Sequence, residues 1–158
     1  MTKNTFISLT IWICLAAVIY YFADNIQNPN KLNRLGNADS VVLKRGPDGH
    51  YRSEALINGE KVNVLVDTGA TGVAISQKVA DRLNLKSINA VRTNTANGES
   101  IGYMVRLESV KIGGVSANNV AAMIAPGLDG DVLLGMSFLG RMDVRLYKGE
   151  MTISQVYE

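Results

Sequence analysis

From Phe6 to Phe22 the chain reads FISLTIWICLAAVIYYF, with no charged side chain. A core helix of a soluble domain carries a polar face, and this run has none. It sits at the short end of the roughly 17–25 residues that cross a hydrocarbon core. Trp12 lies inside the run and Tyr20 and Tyr21 close it, where interfacial aromatics collect. Residues 1–23 therefore read as a transmembrane anchor. A cleaved leader wants small residues before the cut, and Tyr21-Phe22-Ala23 places bulk there. Ile13 before Cys14 is also too large for a lipoprotein cleavage site. The flanking charges, Lys3 before and Asp24, Lys31 and Arg34 after, leave orientation undecided.

Residues 24–39, DNIQNPNKLNRLGNAD, are rich in Asn and charge and interrupted by Pro and Gly. They read as a linker that holds the domain off the membrane. Residues 40–158 are a normal length for one domain. Lys and Arg are scattered and the net charge is only +2, so no nucleic-acid stripe is present. One cysteine, Cys14, and one histidine, His50, cannot assemble a multi-ligand zinc site or an intrachain disulfide. A Ser-His-Asp triad would have to use His50, which sits in the turn-like stretch Arg45-Gly46-Pro47-Asp48-Gly49-His50. Gly135, Gly140 and Arg141 loosely mimic a phosphate loop, but the Lys-Ser/Thr pair is absent. No cofactor and no metal is expected.

Strand signals dominate the domain. Tyr51 to Ile57 and Lys61 to Val66 flank Asn58-Gly59, a pair that tolerates the positive φ of a type I′ turn. Val62, Val64 and Val66 alternate on one face. Further strands are expected at 41–43, 90–94, 100–107, 110–112, 120–124, 131–134, 142–146 and 151–156. Asn97-Gly98, Gly113-Gly114 and Lys148-Gly149 supply turns. One short helix is expected after Ser76, with Val79, Ala80 and Leu83 on its apolar face. A helical turn follows Gly135, over Met136 to Leu139. Short strands at regular spacing predict a mainly β domain, a small barrel or sandwich.

The one triplet that suggests chemistry is Asp67-Thr68-Gly69, directly after the apolar strand ending at Val66. A loop there would expose the carboxylate, and Gly69 permits another backbone to approach. The same residue types also make ordinary turns. The context is more specific. Val64-Leu65-Val66-Asp67-Thr68-Gly69-Ala70-Thr71, then Asn94-Thr95-Ala96-Asn97-Gly98, then Val132-Leu133-Leu134-Gly135-Met136-Ser137-Phe138-Leu139 follow in order. On these elements the chain resembles the retropepsin-like aspartic proteases, in particular a bacterial group with an N-terminal membrane span.

That resemblance implies a closed retropepsin-type β-barrel with one short helix, preceded by a transmembrane helix. It implies an aspartic endopeptidase working on peptide or protein substrates as a homodimer. Asp67 would be the catalytic carboxylate, with Thr68, Gly69 and Ala70 in the active-site loop. Asn97 and Gly98 would form a flap tip. Leu133, Leu134 and Gly135 would support the cleft or simply fill the core. Asp-Thr-Gly occurs once, so the second carboxylate would come from a second copy. The expected location is a single pass in the inner membrane, with the domain periplasmic or otherwise extracytoplasmic. One feature departs from viral relatives, which carry an Arg and a carboxamide or acid after the Gly of the second hydrophobic element. Met136 and Ser137 stand there, and Arg141 and Asp143 are the nearest charged substitutes. A catalytically silent dimerisation or peptide-binding module on the same fold is the alternative.

Overall fold

The Asn58-Gly59 turn forms as its residues predict, with φ of 50° and 83°. It joins β2 (Tyr51–Ile57) to β3 (Glu60–Val66) in an antiparallel ladder running from Ile57↔Glu60 to Tyr51↔Val66. The alternation of valines on β3 is real: Val62, Val64 and Val66 are buried and Lys61 and Asn63 are exposed. The computed structural model describes residues 3–27, 30, 31, 39–95 and 98–157. Along the chain follow β4 (Val73–Ile75), α2 (Gln77–Arg82), β5 (Ala90–Thr95), β6 (Gly98–Ile112), β7 (Val115–Ile124), β8 (Val132–Leu134), α3 (Met136–Leu139), β9 (Met142–Tyr147) and β10 (Glu150–Gln155). Ahead of them lie α1 (Lys3–Gln27) and β1 (Ser40–Lys44).

Six strands close on themselves in the order β2-β3-β8-β4-β7-β6, and β6 returns to β2 through Leu56↔Lys111 and Ile57↔Val110. Closure removes the unpaired edges that make open sheets sticky. Two pairings in the ring are parallel, β3 with β8 and β4 with β7. The hairpin β5–β6 extends beyond the ring, paired from Ala90↔Tyr103 to Thr95↔Gly98. A separate sheet of order β1-β10-β9 packs Val41, Leu43, Met151 and Ile153 into the same continuous core. The mainly β barrel that the sequence predicts is therefore present.

The short helix is also present. The Ser76 side chain accepts the Val79 N–H at its start, and Val79 and Ala80 are buried. Two details differ from the strand signals. β4 has only three residues, too few to show a period. β6 is one strand through Glu108 and Ser109, where polar side chains look like a break. Asn58 sustains it from the neighbouring turn: its N–H donates to Ser109 O at 2.9 Å and its side-chain oxygen accepts the Ser109 N–H at 3.1 Å.

α1 stands apart from this core. Its stretch Phe6–Asp24 is long and apolar enough to cross a membrane, and none of it is buried. Thr10 turns its hydroxyl onto Phe6 O at 3.0 Å, so the helix satisfies that polar group internally. The chain returns to the domain at Asn30, which is buried between the ends of β1 and β2.

Among the described residues Phe138 is the fully buried aromatic ring of the core. Phe138→Ala should lower the unfolding free energy by roughly 3–5 kcal/mol through lost burial and the cavity left behind. Urea denaturation followed by far-UV circular dichroism measures it. A loss below about 1 kcal/mol would mean that the core closes over the site.

Candidate active site

β3 ends at Val66, and its parallel partner β8 is in register with it, Val66 opposite Leu134. Asp67 continues this ladder by one bond, its N–H donating to Leu134 O at 3.0 Å. Then the chain turns away. Asp67 Oδ1 accepts the Gly69 N–H at 2.8 Å, which orients the carboxylate over its own loop. Asp67 and Ala70 are half-buried, and Thr68 and Gly69 are exposed.

The loop is fastened from behind by the start of α3. Met136 N–H donates to Ala70 O at 2.8 Å and Ser137 N–H to Thr71 O at 3.1 Å. The Ser137 hydroxyl accepts the Val73 N–H at 2.9 Å and donates to Ala121 O at 2.8 Å, tying loop, β4 and β7 together. Gly135 makes this approach possible. A Cβ there would lie 2.2 Å from Gly72 O and 2.5 Å from Ala70 O, closer than any carbon–oxygen contact allows. Its φ of −104° is ordinary, so space and not backbone torsion requires the glycine.

The expected site residues thus fall into distinct places. Asp67, Thr68, Gly69 and Ala70 form one loop, with Gly135 and the buried Leu134 directly beneath it. Leu133 is half-buried. Gly98 lies at the far end of the β5–β6 hairpin, exposed, with φ of 102°. Asn97 lies outside the described residues. Within this chain Arg141 and Asp143, the nearest charged residues, bond away from the Asp67 loop. Arg141 donates to Asn118 O at 2.7 Å and Asn119 O at 3.2 Å, and Asp143 pairs with Arg145 at 2.8 Å. Ser137 holds the loop instead, a role the sequence hints at only by a lone hydroxyl inside an apolar run. His50 is exposed in the β1–β2 turn beside Asp48. The hydrogen bonds of Arg52 and the His50 N–H hold that carboxyl below its ordinary range. Among the described residues no cluster of three or more His, Cys, Asp or Glu could hold a metal ion.

Chemically, one chain supplies a single accessible carboxylate on a rigid loop. Comparison with known proteins agrees with this geometry. Residues 53–141 match the family described as gag-polyprotein putative aspartyl protease. An uncharacterized Sinorhizobium protein from the cobV 5′ region is 34% identical over 108 residues, 66% of this chain and 46% of its own length. An uncharacterized protein of Rickettsia prowazekii is 36% identical over 104 residues, 64% of this chain and 45% of its own length. The chain thus spans about half the length of these curated relatives. The crystal structure of a retropepsin-like aspartic protease from Rickettsia conorii superposes with a TM-score of 0.64. It is 28% identical and covers 73% of this chain and 91% of that one.

Gly135→Ala should destabilise the fold by about 3 kcal/mol or more, because two backbone carbonyls must shift. At Gly69 a Cβ would meet only the Asp67 side-chain oxygen, at 3.2 Å. Gly69→Ala should therefore stay within about 1 kcal/mol of the parent. Paired thermal melts read the contrast, and equal losses would overturn it.

Proposed function

This chain belongs to the retropepsin-like aspartic protease family, and on that premise we propose that it is a membrane-anchored endopeptidase with a dyad of Asp67 from two subunits. The observation that carries the reading is the Asp67 loop, accessible in front and fixed from behind by Leu134, Met136 and Ser137. One such loop per chain is half a site. A two-fold dimer brings the same patch from each subunit together and supplies the second carboxylate.

Two carboxylates a few ångströms apart cannot both ionise, so the pair holds one proton. The ionised member takes a proton from water, and the water attacks the scissile carbonyl. The protonated member donates to the carbonyl oxygen. These roles belong to the pair and not to either copy. Thr68 interlocks with its counterpart across the axis and Gly69 lies beside the substrate. Leu133 and Leu134 support the loop. The β5–β6 hairpin, which carries Gly98 at its far end, closes over the peptide. The apolar, exposed α1 supports anchoring through residues 6–22, and the reading puts the domain on the extracytoplasmic side.

The full chain in detergent should cleave a peptide library, and Asp67→Asn should lower kcat/KM at least about a thousandfold while the dimer stays folded. The wild-type rate should fall more steeply than linearly with dilution, because only the dimer holds a site. Activity retained in Asp67→Asn, or a rate proportional to concentration in a demonstrated monomer, overturns the mechanism.

The position after Gly69 sets the pH range. Ala70 provides no hydroxyl to the carboxylate. A donor there stabilises the ionised form. With Ala70→Ser, the pair should therefore lose its shared proton at lower pH, and the alkaline limb of the kcat/KM profile should move down. The working range of the natural chain then extends toward neutrality. Profiles of both proteins on one peptide decide it, and an unmoved or raised limb counts against the idea.

A further inference from the structure

Asn30 is 4% exposed, one of three buried polar residues in the chain's described core. Its side-chain amide donates to Lys44 O at 2.9 Å and Arg52 O at 2.8 Å. Its side-chain oxygen accepts the Lys44 N–H at 2.9 Å. Its backbone oxygen accepts the Ser53 hydroxyl at 2.8 Å and the Glu54 N–H at 3.4 Å. Asn30 therefore bridges the end of β1 and the first half of β2, strands of two different sheets, on the stretch of β2 that β6 does not reach. Five hydrogen bonds at a buried point make an attachment, since leaving such groups unpaired costs about 1–3 kcal/mol each.

The attachment lies very close to the end of the apolar helix. Gln27 ends α1, and covalent geometry allows at most about 11 Å between its Cα and that of Asn30. Lys31 reaches back to Asp24, the last residue of the apolar stretch, in an ion pair. A free linker over residues 24–39 would let the domain range over about 50 Å from the bilayer. Fixed at Asn30, it has a tether of a few residues. In a two-fold dimer with both helices in one bilayer, the two attachment points stand at one height. The axis then lies along the membrane normal, and the cleft on that axis is held at a set distance from the lipid.

We propose that Asn30 is a latch that makes the anchor a ruler, so that the substrates are membrane-tethered polypeptides cut within a narrow band of distance from the bilayer. This rests on the anchored-protease reading above. The test uses the full chain in lipid vesicles that also carry one cleavable peptide, displayed from a transmembrane helix on helical spacers of increasing length. Wild type should show a peaked rate profile, with at least a tenfold difference between best and worst spacer. A twelve-residue Gly-Ser insertion between residues 28 and 29 should flatten the profile to within about twofold. The same insertion between residues 34 and 35, beyond the latch, should leave it peaked. Asn30→Ala should flatten it, with kcat/KM on a free peptide changed less than about twofold. Equal effects of the two insertions, or a flat wild-type profile alongside cleavage of free peptide, overturn the latch. Energy transfer from a dye on the domain to labelled lipid reads the height without catalysis. A narrow distance broadened by the first insertion and not the second supports the latch even if free peptide is not cleaved. In that event the protease reading fails and the ruler of substrates with it. A broad distance in wild type overturns the latch itself.

Discussion

The contact on which the rest depends is backbone against backbone, where the 67–72 loop crosses the Gly135 segment. No side chain fits between them, and the hydrogen bonds of Asp67, Ala70 and Thr71 to residues 134, 136 and 137 replace side-chain packing. The strand order β3-β8-β4 follows from this crossing. β8 must lie beside β3 to present Leu134 O to Asp67, and β4 must return on its other side to continue the loop. Ser137 completes the arrangement by bonding Val73 at the start of β4 and Ala121 on the neighbouring β7. A carboxylate carried here inherits the rigidity of three strands and a helix without being buried by them.

Local physics was legible in the sequence. The valine alternation of β3, the Asn58-Gly59 and Lys148-Gly149 turns and the Ser76 cap each depend on neighbours a few residues away. Their conformations agree with the structure: φ is positive at all four turn residues. The Asp67 loop was also legible as a unit, because β3 leads straight into it. What escaped is non-local. β4 is a strand only because β7 and β8 flank it. β6 stays unbroken because Asn58, fifty-one residues away, bonds Ser109. Ser137 and Asn30 look like ordinary polar residues until the partners on other strands are in place. A side chain whose role lies in bonds to distant backbone leaves almost no trace in composition or period.

The two parts of the molecule are built on opposite solvent rules. In the barrel the apolar groups turn inward and every strand has a partner. In α1 the apolar groups face outward, from Phe6 to Phe22, and the Thr10 hydroxyl bonds within the helix. Such a surface is stable in hydrocarbon and costly in water. Asn30, bonded to the end of β1 and the start of β2, stands in the chain between the two parts.

The β6 strand has a mechanical consequence. From Tyr103 to Ile112 it is bonded to β7 as part of the barrel wall, whereas Gly98 to Gly102 pair with β5 alone. It is a cantilever clamped at Tyr103. At its root Gly102 is buried, and the Met123 side chain occupies the space a Cβ would take, 2.2 Å away. Bending concentrates at a clamp, and here the backbone at the clamp has no side chain of its own to resist it. The free arm from Gly102 to Gly98 is about 14 Å long at strand rise. A rotation of about 20° at the root therefore carries the end by about 5 Å, with the ladder of the arm intact. A bend of the arm would thus fall at one residue of the wall, against the sulfur of Met123.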